Sequence, residues 1–100
     1  MESVSSLENI GNGVVVVDFY ADWCSPCKLL GPIFEKVSQA MPSVKFIKVN
    51  ADDAQSVVRE NGINALPTIL IFKDGKVAKR HVGMINERSL ISEIEAVQNA

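Results

Sequence analysis

Cysteine, tryptophan and histidine are scarce in this chain of 100 residues, which contains two, one and one of them. Two cysteines cannot supply the several disulfides that hold together small secreted domains. The chain does not need them, because 47% of its residues are hydrophobic and can form a core without such crosslinks. We therefore expect one domain spanning residues 1–100, with the two thiols used for catalysis or metal binding rather than as a structural bridge.

Long apolar runs and a strong charge of either sign are also absent. The longest apolar stretch, GVVVV at residues 13–17, is far shorter than the roughly 20 residues of a membrane span. The net charge is −2 and no basic run exceeds Lys79–Arg80, which argues against nucleic acid as a partner. The opening MESVSSLENIGNG has neither the basic start nor the apolar core of a secretory signal. We therefore expect a monomeric cytoplasmic protein that binds neither nucleic acid nor a membrane.

Four strands are predicted. VVVVDFY at 14–20, VKFIKVN at 44–50 and TILIF at 68–72 are rich in β-branched and aromatic residues, as buried strands are. The Asp-Gly pair in KDGK is typical of a hairpin turn and leads to the fourth strand, at 76–82.

Three helices alternate with these strands. The first is predicted from about Pro26 to Met41, with a kink at Pro32. A short second helix is expected to be capped by Asp53 and to end near Gly62, and Asn86 is expected to cap the last helix. The predicted fold class is α/β, a central mixed β-sheet flanked by helices on both faces.

The two cysteines form a Cys-x-x-Cys motif in WCSPCK, directly after a predicted strand and at the start of a helix. This placement is typical of a dithiol redox site. Cys24 lies at the helix N-terminus, where free N–H groups and the helix dipole favour a thiolate and should lower its pKa. Cys27 lies in the first turn, where we expect it to be more buried. We therefore predict that Cys24 attacks a substrate disulfide and that Cys27 resolves the mixed disulfide.

WCSPCK resembles the active site of thioredoxins, with Ser25 in place of the usual glycine. VVVVDFYADWC, ALPT, KDGK and HVG are similar to four further segments of that family, in the same order. The resemblance implies the thioredoxin fold with a shortened N-terminal element, and a protein-disulfide reductase with no bound cofactor. It also implies recharging by a thioredoxin reductase that draws on NADPH or ferredoxin. Ribonucleotide reductase, peroxiredoxin and methionine sulfoxide reductase are the implied types of client.

Three further residues gain a role from the resemblance. Asp18 interrupts an apolar strand, where burial would raise its pKa, unless the carboxylate simply reaches solvent at the strand end. It matches the family's buried aspartate, which takes the Cys27 proton as a general base. Lys48 matches a lysine near that aspartate and is expected to pair with it; the alternative is a stem that snorkels from the sheet edge. Pro67 matches the cis-proline beside the dithiol, although it could also be an ordinary strand-starting proline.

The resemblance also places a substrate-binding patch around the cysteines. Leu66 is expected to offer backbone hydrogen bonds to an extended substrate segment. The Ser25 hydroxyl is expected to donate toward the thiolate or to cap the helix, with a small upward shift of the reduction potential. His81 is expected to be a surface or packing residue. The expected patch contains Trp23, Ser25, Pro26, Ala65, Leu66, Val82, Gly83 and Met84.

Several other functions are also compatible with the sequence. A Cys-x-x-Cys motif can be half of a zinc site, but the chain has no further cysteine. Two chains could share an iron–sulfur cluster through four cysteines. The same fold could act as a non-catalytic clamp or assembly subunit, or as an oxidase or isomerase, which usually has histidine between the cysteines. A glutaredoxin fits the tryptophan and the Ser-Pro pair poorly.

Overall fold

The computed structural model describes residues 1–8 and 10–100, with only the backbone described for Glu2 and Ser3. Five strands and three helices follow one another along the chain. The strands are β1 (Glu2–Ser3), β2 (Val14–Tyr20), β3 (Lys45–Asn50), β4 (Thr68–Lys73) and β5 (Lys76–Val82). The helices are α1 (Ser25–Ala40), α2 (Gln55–Glu60) and α3 (Glu87–Gln98).

The strands form one mixed sheet in the order β1-β3-β2-β4-β5. The strands β1, β3 and β2 run parallel, whereas β4 and β5 are antiparallel to their neighbours. In the central strand, Asp18 lies opposite Lys48 of β3 on one side and Ile69 of β4 on the other. The prediction of a mixed sheet flanked by helices is confirmed, and β1 is a very short edge strand, as the shortened N-terminal element implied.

The sheet separates two apolar clusters, because successive side chains of a strand point to opposite faces. One cluster joins the sheet to α1 and α3 and includes Val16, Phe34, Phe46, Ile69 and Leu90. The other joins it to α2 and the segment before β2 and includes Val17, Phe19, Ile47, Val57 and Leu70. The first of these faces is called the α1/α3 face below, and the second the α2 face. By strand alternation, Asp18 lies on the α1/α3 face.

Three predicted helix boundaries are close to the observed ones, and one predicted cap is wrong. Helix α1 begins and ends within one residue of the prediction and continues through Pro32. Helix α2 starts after Ala54 and has no side-chain cap, because the N–H of Asp53 bonds the Asn50 carbonyl in a turn that precedes the helix. Its end at Gly62 is as predicted, since this glycine has φ +65° and donates to the Arg59 carbonyl.

The hairpin and the last helix follow their sequence signals. Asp74 and Gly75 both have positive φ, which gives the two-residue turn that suits a twisted hairpin. Asn86 caps α3, because its side-chain oxygen accepts a hydrogen bond of 2.8 Å from the N–H of Ser89. In the described part of the chain, no helix is both long and apolar enough to cross a membrane.

Candidate active site

The cysteine pair is built into the start of α1. Cys24 is the N-cap residue, and its Sγ accepts a hydrogen bond of 3.3 Å from the N–H of Cys27. The two sulfur atoms form a disulfide, with the Cα atoms 5.3 Å apart. Pro26 lies in the first turn, where its missing N–H costs no helical hydrogen bond. A sulfur atom therefore occupies the position where an oxygen usually caps a helix, and the same N–H can stabilise a thiolate there.

The expected difference in burial between the two cysteines is not found in this disulfide form. Cys24 and Cys27 are each only 5% exposed. In the oxidised form the two residues are therefore equally buried, and the difference predicted from their positions in the helix is not present. The flanking Trp23, Ser25 and Pro26 are exposed and form the rim of the site.

The loop before β4 lies against the disulfide. The bond between Leu66 and Pro67 is cis, as the resemblance implied, and Leu66 packs against the cluster formed by Ala21 and the two cysteines. The Thr68 hydroxyl donates a hydrogen bond of 2.7 Å to the Ala65 carbonyl. These contacts bring a second chain segment next to the disulfide.

A third segment, after β5, is joined to this loop. The N–H of Gly83 donates to the Pro67 carbonyl at 2.8 Å. The side chains of Val82 and Met84 are largely exposed. His81 is half-buried, and its Nε2 bonds the Met84 carbonyl at 2.9 Å, so it must carry the hydrogen, because a carbonyl only accepts. The predicted patch residues thus come from three loops at the same end of the sheet.

Trp23 is 70% exposed, which identifies it as a surface residue beside the cysteines rather than part of the core. Its indole Nε1 donates a hydrogen bond of 2.9 Å to Asp52 Oδ2. The N–H of Asp52 in turn donates to the Asn50 side-chain oxygen at 3.0 Å. The ring is therefore held in place from the end of β3 while most of its surface remains available for contact.

Asp18 is fully buried, on the face of the sheet that packs against α1 and α3. Neither of its carboxylate oxygens has a hydrogen-bond partner within the described residues. Burial raises the pKa of Asp18 to about 6, and the positive charge of Lys48 counteracts only part of this rise. A carboxyl group with this pKa can accept and return a proton near neutral pH.

The expected direct pair between Lys48 and Asp18 is not formed. The two residues are register partners on neighbouring strands, but the carboxylate oxygens make no hydrogen bond in the described part of the molecule. The Lys48 Nζ lies instead 4.4 Å from the centroid of the Tyr20 ring, a cation–π contact. Ser25 is exposed and is the first residue of α1, directly after Cys24.

Sequence reasoning missed three contributors to the site, which are Tyr20, Asp52 and Thr68. Asp52 could have been found, since parallel β2 and β3 end at the same edge of the sheet and it follows β3 as Trp23 follows β2. Tyr20 shares a strand face with Asp18, which parity alone indicates. Nothing in the sequence indicated that the Thr68 hydroxyl would bond a carbonyl of the loop before it.

Among the described residues, no group of three or more His, Cys, Asp or Glu side chains is placed to hold a metal ion. The site combines a disulfide, a buried carboxyl group and an apolar rim.

The Thioredoxin family model matches residues 4–96. A thioredoxin of Mycoplasmoides gallisepticum is 48% identical over 79 residues, which make up 79% of this chain and 79% of that protein. The structure of Fasciola hepatica thioredoxin matches with a TM-score of 0.88 at 32% identity, over 96% of this chain and 98% of that one. A structure from work on thiol resolution in a yeast mitochondrial 1-Cys peroxiredoxin, via glutathione/thioredoxin systems, matches with a TM-score of 0.85 at 29% identity, covering 96% and 94%. The chain therefore belongs to the thioredoxin family, whose members reduce protein disulfides through a cysteine pair of their own.

Proposed function

We propose that the chain, acting as a single domain, is a general reductase of protein disulfides in which Cys24 attacks and Cys27 resolves. The observation that carries this assignment is the hydrogen bond from the Cys27 N–H to Cys24 Sγ at the start of α1. This N–H and the helix dipole stabilise negative charge on Cys24. Cys27 lies one turn into the helix and has no comparable stabilisation.

The reaction balances as two successive exchanges. The Cys24 thiolate attacks one sulfur of the substrate disulfide, a mixed disulfide forms, and the released substrate thiolate takes up a proton. Asp18 then takes the Cys27 proton, and Cys27 attacks Cys24 Sγ. The Cys24–Cys27 bond forms, the mixed disulfide breaks, and the second substrate sulfur leaves as a thiolate, which takes up the proton that Asp18 then releases. Two electrons pass from the cysteine pair to the substrate.

Asp18 is proposed as the general base because it combines burial with a pKa near 6. Lys48 is proposed to moderate its charge, and Pro67 to close the site beside the sulfur atoms. A base with this pKa is ionised at neutral pH, yet it binds a proton more strongly than an ordinary carboxylate does.

The exposed rim is proposed as the docking face for extended or flexible segments of substrate. Its apolar members are Trp23, Val82 and Met84, and backbone bonds from Leu66 would align the substrate chain as a short additional strand. Ser25, Pro26, Ala65 and Gly83 complete this face. A segment that docks here presents its disulfide to the N-terminus of α1.

The proposed partners follow from this chemistry. A thioredoxin reductase, supplied by NADPH or ferredoxin, would return the oxidised pair to the dithiol. Peroxiredoxin, ribonucleotide reductase and methionine sulfoxide reductase are the proposed clients, and the yeast structure from the peroxiredoxin study supports the first of them by similarity alone. We place the protein in the cytoplasm, because a reductant of this kind works where thiols are kept reduced. We propose that it acts there as a monomer.

Three variants test the assignment of roles. Reduced Cys27→Ser should accumulate a mixed disulfide with a test protein such as insulin, visible on a non-reducing gel, because nothing resolves it. Cys24→Ser should form no such adduct and should lose insulin reduction. Gln39→Ala, an exposed position on the same helix, is the control and should behave as wild type. An adduct that forms through Cys27 instead would reverse the two roles.

The direction of electron flow is tested by equilibrating the pair against glutathione. We expect a potential near the value of about −270 mV that is typical of thioredoxins. A potential above about −200 mV would instead indicate an oxidase or isomerase. Substrate binding that survives replacement of both cysteines, without any redox activity in the wild type, would indicate a clamp.

A further inference from the structure

The position of the Lys48 ammonium is unusual for a lysine opposite a buried aspartate. The two residues are register partners on adjacent parallel strands, and both side chains lie on the α1/α3 face. A free lysine side chain would be expected to reach the carboxylate, because no hydrogen-bond partner occupies either oxygen within the described residues. Its Nζ lies 4.4 Å from the centroid of the Tyr20 ring instead.

The Tyr20 ring also links this cation to the dithiol. Tyr20 is the last residue of β2, two positions beyond Asp18 on the same strand face. It is half-buried and packs against the cluster that contains Cys24 and Cys27. The ring therefore contacts the ammonium group and the cysteine cluster at the same time.

Helix α1 leaves room for this arrangement at Gly31. A Cβ atom at this position would lie 4.0 Å from Lys48 Nζ, so the ammonium faces α1 there with room for a methyl group between them. The ring and the helix backbone are thus two of the groups that bound the ammonium.

Among the described residues, Lys48 is the charged group that lowers the pKa of Asp18, against the larger rise caused by burial. On its own strand Asp18 has Tyr20 as its neighbour on this face, and Tyr20 in turn packs against the cluster that contains Cys24 and Cys27. The other elements packed on the face contribute apolar side chains, namely Ile69 from β4 and Leu90 and Ile94 from α3. They also contribute three titratable groups, His81 and Lys79 of β5 and Glu93 of α3, the last two joined in a salt bridge of 3.9 Å. None of these three is a cause of the shift in the pKa of Asp18. The position of the Lys48 ammonium therefore decides how strongly the Asp18 carboxyl group holds a proton.

We propose that Tyr20 is a positioning residue whose ring holds the Lys48 ammonium near Asp18 but away from its carboxylate oxygens. A direct ion pair would make Asp18 a weak base, whereas a cation at a distance leaves it able to take the Cys27 proton. This inference rests on the proposed role of Asp18 as general base. It adds that an aromatic ring, rather than the lysine itself, sets the distance between the two charges.

The test is an NMR titration of the Asp18 carboxyl carbon in the oxidised protein, without substrate. Tyr20→Phe keeps an aromatic face and should titrate as wild type. Tyr20→Leu releases the ammonium toward Asp18, and its titration midpoint should fall by roughly one pH unit or more. In the Lys48→Met background, Tyr20→Leu should shift the midpoint by less than half as much, because no cation remains to move.

Two results would overturn the proposal. One is an unchanged Asp18 midpoint in Tyr20→Leu. The other is a shift at least half as large in the Lys48→Met background, since the ring would then act by excluding water rather than by holding a cation.

A second measurement does not depend on the folding of Tyr20→Leu. In wild type and Tyr20→Phe, the ε-methylene protons of Lys48 should be shifted upfield by the ring current, and resonances at ordinary lysine positions would contradict the proposal. Neither experiment involves disulfide reduction. A protein that fails to reduce insulin but shows both signatures would refute the proposed function and leave the Tyr20 contact standing.

Discussion

The two faces of the sheet differ in the kind of side chain that β2 buries on each of them. The α2 face is packed by apolar side chains along β2, where Val15, Val17 and Phe19 are all buried. The α1/α3 face begins in the same way with Val16, but the next residue on that face is Asp18, a fully buried carboxyl group with no hydrogen-bond partner in the described structure. One strand therefore contributes ordinary packing to one face and a titratable group to the other.

This difference shows that the buried carboxyl group of Asp18 lowers the stability of the fold at a position where a titratable group can serve the proposed reaction. An ionised carboxylate without partners is costly in an apolar interior. The cost falls at the end of the α1/α3 face that lies beneath the cysteine pair, and the opposite face supplies packing without any such cost. Replacement of Asp18 should consequently stabilise the protein, whereas replacement of a buried apolar residue on the α2 face should destabilise it.

The largest expected effect is on the α2 face. Phe19→Ala should lower the free energy of unfolding by about 3–5 kcal/mol, because it removes a fully buried ring and leaves a cavity. Denaturant unfolding of the oxidised protein measures this loss, which should be similar at acidic and neutral pH. A loss that depended strongly on pH would mean that this face also senses a titratable group.

Asp18→Asn should stabilise the protein by about 3 kcal/mol at pH above about 7. The pKa of Asp18 is raised from 3.8 to about 6, so the folded state holds more protons than the unfolded state between these values. Wild-type stability therefore falls as pH rises through this window, whereas the asparagine variant has no such loss. The comparison of denaturant midpoints at several pH values tests this, and the gain should vanish below the lower value. A gain of equal size at all pH values would contradict the linkage.

Val17→Thr is the matched change on the α2 face. It places a hydroxyl group among apolar side chains at a fully buried position next to Asp18 in the sequence. We expect a loss of roughly 1–3 kcal/mol in the free energy of unfolding, since no partner satisfies the hydroxyl group. An unchanged stability would show that this face tolerates polar groups and that the two faces are more alike than their residues indicate.

The smallest effect is expected at the N-terminus of α3. Asn86→Ala removes the side-chain acceptor of the Ser89 N–H and should cost about 1 kcal/mol. This site belongs to a helix of the α1/α3 face but is not part of the dithiol site. Its cost should be independent of pH, and a pH-dependent cost would mean that Asp18 is not the sole source of pH sensitivity on that face.

Much of the fold could be predicted because local signals agreed with the final packing. The β-branched runs, the Asp-Gly turn and the Asn86 cap each have one favoured structure. The Asp53 cap was wrong because a turn that bonds the Asn50 carbonyl delays the helix, which depends on backbone geometry rather than on residue type. The redox function of the cysteine motif could be predicted because its reactive residues, Cys24 and Cys27, lie only three positions apart in the sequence.

The parts of the site that could not be predicted are those made by long side chains. Strand alternation placed Lys48 on the same face as Asp18. It could not predict the direction in which the four methylene groups of the lysine carry its charge. The ring of Tyr20 decides that direction. The contact between this ring and the Lys48 ammonium depends on the register of β2 and β3, which the sequence does not give. The hydrogen bond between Trp23 and Asp52 likewise depends on where two loops end.

The solvent-facing indole beside Cys24 gives this molecule a built-in optical probe. Trp23 is the chain's only tryptophan, so light absorbed at the red edge of the protein spectrum is emitted from one known place. Opening or closing the disulfide, docking a substrate on the rim, or breaking the bond to Asp52 would each alter the surroundings of that ring. The turnover of the cysteine pair can therefore be followed in real time by fluorescence, without attaching a dye.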